Sequence, residues 1–145
     1  MAIAAPPPPG APTCPPGTGW YLDKPVGSQA ERVELPATAR RRASIGLPAD
    51  PQRRPMRVRI WETTDTYPAV EATATDRAGR VALRMSWAGC TKAEQIESRG
   101  PAIYRWEPGG KGGGDWRKLE NSRRVDANTV EADLESLSRY AVGTN

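Results

Sequence analysis

Prolines and glycines set the first limit on this chain. There are 15 prolines and 14 glycines among 145 residues, a share that favours turns and extended chain over long helices. Seven of the prolines fall in residues 1–19, together with Gly10, Gly17 and Gly19. Proline fixes φ at about −65° and removes a backbone donor, so this segment can be neither helix nor central strand. Polyproline II is its expected state, and a chain that is already stiff loses little entropy on docking. Residues 1–19 are therefore expected to form an extended docking arm ordered by a neighbouring subunit. Pro6, Pro7, Pro8 and Pro9 are its most concentrated part, and Trp20–Tyr21 is the plug where arm meets body.

Residues 20–145 suit one domain, since domains run about 100–150 residues. The hydrophobic share is 37%, below the usual ~45–50%, which points to much irregular structure around a single core. The strand signals alternate with period two. MRVRIWE (56–62) sets Met56, Val58 and Ile60 against Arg57, Arg59 and Trp61. AERVELP (30–36) sets Val33 and Leu35 against Arg32 and Glu34. YPAVEATAT (67–75) and VALRMSW (81–87), joined by DRAGR (76–80), read as a β-hairpin with Val70, Ala72, Val81, Leu83, Met85 and Trp87 inward. TKAEQIESR (91–99) has helical composition for one or two turns. AIYRWE (102–107) and WRKLE (116–120) flank a glycine loop, DAN (126–128) turns the chain into TVEADLE (129–135), and SRYAV (138–142) is a closing strand. Residues 36–55 hold four prolines and five arginines and read as one long loop. About seven short strands with polar turns predict an all-β fold, a small antiparallel β-sandwich of immunoglobulin-like or related type.

The stretch from Ala102 to Val142 resembles the closing strands of bacterial surface β-sandwiches and of the ankyrin/netrin-receptor-type sandwich. There, a Tyr strand, a loop and a Trp strand precede a Val-Asp turn, an alternating strand and a final LS-x-aromatic-Ala-Val. Tyr104, Trp116, Leu119, Val125, Asp126, Val130, Leu137, Ser138, Tyr140 and Val142 stand at those places. The resemblance implies a sandwich with a structural or adhesive role and brings no catalytic residue with it.

The composition also excludes chemistry. With no histidine in the chain, Ser-His-Asp and Cys-His mechanisms and histidine-based metal sites are ruled out. GGKGGGD (109–115) lacks the Ser/Thr after Lys111 and the following helix that a phosphate loop needs. No enzymatic activity and no cofactor or metal are expected. RRRAS (40–44) has the form of a basophilic kinase site at Ser44. The net charge is +4, carried by 17 arginines and only 4 lysines. Arg40, Arg41, Arg42, Arg53, Arg54, Arg57 and Arg59 crowd one segment whose forked, always-charged side chains suit interface carboxylates. Trp61, outward on an arginine-rich strand, is equally an interface anchor or a side chain buried beneath the neighbouring loop. The modest charge and sparse aromatic interleaving argue against nucleic acid as the partner.

Cys14 and Cys90 allow one bridge, which would pin the arm across the domain. Residues 1–5 show neither the basic nor the apolar region of a secretion signal, so two free thiols in a reducing compartment are the favoured expectation. Two functions fit these features. The first is an accessory structural subunit, made in the cytoplasm, that docks on a virion or another large particle through its arm and arginine loop. Its partners would be protein subunits, with a homo-oligomer also allowed and no membrane insertion. The alternative is a binding or adhesion module of the cell envelope, directed to carbohydrate through exposed tryptophan.

Overall fold

A computed structural model of the chain describes residues 5–109 and 113–145. Residues 1–4 and 110–112 lie outside the described residues, and with them most of the leader comparison, the start of the arm and Lys111 of the glycine loop. The strands are β1 Tyr21–Val26, β2 Glu31–Glu34, β3 Ala43–Leu47, β4 Met56–Glu62, β5 Ala69–Ala74 and β6 Val81–Ser86. After the short helix α1, Glu94–Arg99, come β7 Pro101–Pro108, β8 Gly114–Lys118, β9 Arg123–Asp126, β10 Thr129–Leu134 and β11 Arg139–Thr144. They form two antiparallel sheets, ordered β1-β4-β5-β11-β7-β8 and β2-β3-β6-β10-β9. The expected all-β sandwich is the fold.

Alternation along the strands explains the layering. Met56, Val58 and Ile60 of β4 and Val81, Leu83 and Met85 of β6 are all buried, while the residues between them are exposed or half-buried. The same phase continues through Val130, Ala132 and Leu134 of β10 and Tyr140 and Val142 of β11. These side chains join one core together with Val33, Ile45, Trp87, Ile96 and Ile103, as expected where two inner sheet faces interdigitate. Trp87 is core, as its position in the alternation predicts, and Arg124 stacks over its ring at 5.4 Å. The segments likened to closing strands become β7 to β11, and β11 lies between β5 and β7 at the middle of its sheet.

Two readings of the sequence are corrected. Residues 67–87 do not make a hairpin: β5 pairs with β4 and β11 in one sheet, whereas β6 pairs with β3 and β10 in the other. The DRAGR turn carries the chain across the sandwich, so both apolar faces look inward from opposite layers. Nor is 36–55 one loop. It contains β3, an interior strand between β2 and β6 that buries Ala43, Ile45 and Leu47. Its outward partners, Ser44 and Gly46, are small and polar or bare, which hid the alternation among the surrounding prolines and arginines. Strands β1 and β9 also went unread: each is an edge strand with little buried apolar content.

Ile45 tests the reassignment of residues 36–55. Its side chain is fully buried, so Ile45→Ala is expected to cost about 2–5 kcal/mol, read from the midpoint of urea unfolding. A position in a solvated loop would change stability by no more than about 0.5 kcal/mol.

Candidate functional site

Residues 5–19 run as a strap against their own body. Tyr67 Oη donates to Ala5 O at 2.9 Å and Trp116 Nε1 donates to Pro6 O at 2.5 Å. Thr144 N donates to Pro9 O at 3.0 Å. Burial pushes the Tyr67 phenol up to about 12, with Asp65 adding to the shift, so Tyr67 stays a neutral donor. Beneath the strap lie Ala69, Ala141 and Gly143, with Tyr67 and Trp116 in the same cluster and the Tyr104 ring beside Gly143. A Cβ on Gly143 would come within 2.5 Å of Pro9 O, and one on Gly17 within 1.9 Å of Thr63 O. These glycines are required by close approach of backbone to backbone. The arm was expected to be ordered by a neighbour; over residues 5–19 the partners are supplied by its own chain.

The middle of the strap is fixed covalently. Thr13 and Thr91 exchange both backbone hydrogen bonds, at 2.9 and 2.7 Å, as an isolated antiparallel bridge. The adjacent opposed pair in that register is Cys14 and Cys90. Directly opposed residues beside such a hydrogen-bonded pair approach to about 4.5 Å between Cα atoms; here the separation is 4.3 Å and the disulfide is formed. This corrects the expectation of two free thiols, which had no knowledge of the pairing. Bridging cysteines 76 residues apart restricts the unfolded chain by about 4–5 kcal/mol on a loop-closure account.

Near its end the strap meets a buried carboxylate. Glu62 continues the inward phase of β4 and is fully buried. Its Oε1 accepts from Thr18 N at 2.5 Å and from Thr18 Oγ1 at 2.6 Å, and its Oε2 accepts from Arg41 N at 2.9 Å. Burial alone raises its pKa; the Thr18 hydroxyl and the backbone donors of Arg41, Thr18 and Arg40 outweigh that and hold it below the usual carboxylate range. Thr18 and Glu62 were not singled out from the sequence. The signal was there for Glu62, because a period-two strand with three apolar inward residues carries a carboxylate at the fourth.

The arginines divide by role. Arg41 is buried and donates from Nη2 to Pro15 O at 2.6 Å and to Asp65 O at 2.7 Å. Arg40 donates to Pro16 O at 3.0 Å. Arg53 is buried and donates to Gly27 O and Gln29 O at 2.7 and 2.9 Å. Prolines and turns leave carbonyls without ladder partners, and guanidinium forks satisfy them. Only Arg42 and Arg54 of the five loop arginines are exposed without a part in holding the strap or a turn. They lie on either side of β3, and Arg42 borders a hollow on the outer face of the five-stranded sheet with Arg32 and Arg84. The expected single basic loop surface is not assembled. Ser44 is buried in β3 and accepts from Arg32 Nη1 at 2.8 Å, so the kinase-like string does not present its hydroxyl.

Of the aromatic residues singled out, Tyr21 and Trp61 come together. Tyr21 of β1 pairs directly with Trp61 of β4 on the outer face of the six-stranded sheet. Trp20 is 47% exposed and Tyr21 62% exposed. With Gly19 and Arg59, Tyr21 and Trp61 line a hollow of about 290 Å³. The next cross-strand row is Asp23 and Arg59, with Pro25 and Arg57 beyond. Asp23 is shared by both arginines, Arg57 Nε at 2.8 Å and Arg59 Nη2 at 3.0 Å, and the hydrogen bonds from Arg59 and then Arg57 hold its carboxyl below the usual range. One carboxylate against two guanidiniums leaves the patch cationic. Asp23 was not singled out from the sequence; it joins Arg57 and Arg59, counted there within the arginine-rich segment, to the surface of Tyr21 and Trp61. Pro6, Pro7 and Pro9 are exposed along the strap and Pro8 is buried beneath it; the four lie apart from this patch, on the side of Trp116.

No protein-family model matches this sequence, and comparison with curated proteins finds no relative.

The Glu62 carboxyl predicts an acid-sensitive anchor. A group whose folded pKa is depressed stabilises fully above its unfolded value, here 4.5, and loses that contribution as pH falls through the lower folded value. Thermal melts from about pH 7 to 3 are expected to show Glu62→Gln less stable at neutral pH, by about 1–3 kcal/mol, with the gap to the native chain closing toward acid.

Proposed function

We propose that this protein is a non-catalytic accessory subunit that docks on protein subunits of a larger assembly, of the kind that decorates virions. Its contact surface is the Trp20–Tyr21–Trp61 patch with Arg57 and Arg59. The observation that carries this reading is the exposure of Tyr21 directly beside Trp61 and next to a surplus guanidinium, with exposed Trp20 adjoining it in sequence. Tryptophan, tyrosine and arginine dominate the energetics of protein interfaces because each combines a large apolar surface with a polar handle. The complementary partner surface is an apolar depression bordered by carboxylate. The strap and the buried Arg41 and Arg53 are committed within the chain, so the docking role moves from the arm and arginine loop to this patch. A disulfide suits the exterior of a particle in an oxidising setting.

A second reading, an envelope module that binds carbohydrate, is favoured by one observation. The hollow between Tyr21, Trp61, Arg59 and Gly19 offers an aromatic wall for the face of a sugar ring and a guanidinium for its hydroxyls. It shares the disulfide with the first reading.

The test is the stoichiometry of what accompanies the tagged chain isolated from its native source, with Trp61→Ala/Tyr21→Ala for comparison. Both side chains lie outside the core, so the variant is expected to keep its fold and lose about 10–100-fold in affinity for a stoichiometric protein partner. Equal association of native and variant chains would overturn the patch assignment. Retention on polysaccharide that the variant loses, without a protein partner, would select the second reading.

A further inference from the structure

The seat of the strap is more specialised than a single intramolecular contact requires. It recognises backbone. The carbonyls of Ala5, Pro6, Pro9, Pro15 and Pro16 are each met by a donor of the body. Gly143, Ala69 and Ala141, beside the rings of Tyr104, Tyr67 and Trp116, form a narrow floor, and at Gly143 the strap's main chain approaches too closely for any side chain. Every one of these partners belongs either to the strap or to the body, and the two are joined only through Thr18, Gly19 and Trp20. Thr18 and Trp20 are both tied to Glu62, Thr18 through its N–H and hydroxyl and Trp20 through its carbonyl. The free joint is Gly19, which is exposed, has φ +77° and has nothing within 4 Å of where its Cβ would be. That is a hinge with open space around it. In polyproline II geometry, residues 5–19 extend about 45 Å at ~3.1 Å per residue, against a radius of gyration of about 15 Å for a domain of this size. A released strap therefore reaches the same seat on another molecule.

We propose that residues 5–19 exchange between two copies of this chain, the strap of each lying in the trough of the other. Each seat contact is then remade identically in trans, and Cys14 of one copy bonds Cys90 of the other. This closed, isologous arrangement is the symmetry that segment exchange generates. The cis disulfide decides between the forms, because once closed it prevents exchange. Exchange takes place while both cysteines are thiols. In the trans form, Cys14 thiolate attacks oxidised glutathione and releases one glutathione thiolate. Cys90 thiolate of the second copy then displaces the other glutathione, so two protein thiols are oxidised as one glutathione disulfide is reduced. The inference does not depend on the aromatic patch, which lies outside the strap and its trough.

The test uses the full-length chain. Equal amounts of ¹⁵N-labelled and unlabelled protein are reduced, unfolded and refolded together with reduced and oxidised glutathione, at concentrations rising toward the ~millimolar effective concentration of a short tether. Non-reducing peptide mapping then reads the bonds. Exchange predicts a dimer whose cross-linked peptides join Cys14 to Cys90 with mixed isotopes, its yield rising at least tenfold over the concentration range. Gly17→Val, whose side chain would meet Thr63 O and unseat the strap in cis and in trans alike, should turn the mixed-isotope Cys14–Cys90 dimer into one with bonds in statistical proportion, its specific yield falling at least tenfold. A product that stays monomeric throughout overturns the proposal. So does a dimer of the native chain containing Cys14–Cys14 and Cys90–Cys90 bonds in statistical proportion, or a specific Cys14–Cys90 dimer that Gly17→Val forms equally well.

Discussion

A buried carboxylate organises this molecule. An ionised side chain removed from water is costly unless hydrogen bonds replace its hydration. Glu62 has no exposed surface, and its partners come from two segments distant in sequence: Thr18 at the end of the strap and Arg41 between β2 and β3. Its burial is tolerable only when both are in place. The next shell follows the same logic, since Arg41, drawn in by its own backbone contact to Glu62, uses its guanidinium to hold Pro15 O and Asp65 O. Burial lowers the Arg41 pKa, and the nearby charges of Glu62 and Asp65 act against that. Strap, turn and strand are therefore closed as one unit.

Much of the fold was legible because it depends on local alternation. Strand β4 was readable to the residue from Met56 to Glu62, and the inward phases of β6 and β10 followed from the same pattern. What could not be read depends on pairing at a distance. A turn of the length of DRAGR serves equally for a hairpin and for a crossing between layers, and only the partners of β5 and β6 decide which. Strand β3 was hidden because an interior strand whose outward residues are Ser44 and Gly46 lacks polar alternation. The disulfide was undecidable from two cysteines alone; the pairing of Thr13 with Thr91 is what brings Cys14 and Cys90 within bonding distance.

The site was legible in kind more than in place. Outward Trp61 and the Trp20–Tyr21 pair were recognised from strand phase and from the junction of arm and body, and the register of β1 with β4 puts Tyr21 beside Trp61. The arginines misled because charge in a sequence does not reveal where a side chain is used. Proline-rich chain exposes carbonyls without offering donors in return, and arginine is the side chain with the most donors. An arginine-rich segment folded beside a proline-rich one is thus partly consumed by it, and Arg40 and Arg41 are consumed in this way.

Strand β11 stands between β5 and β7, and its Thr144 meets Pro9, 135 residues away in sequence. The floor on which the strap rests is absent until that strand has been inserted. During synthesis at ~5–20 residues per second, the strap, once made, stays without its berth for on the order of ten seconds. In that interval Cys14 is exposed to whatever oxidants and chaperones surround the nascent chain, so the order of translation and the timing of oxidation together govern how the arm is finally placed.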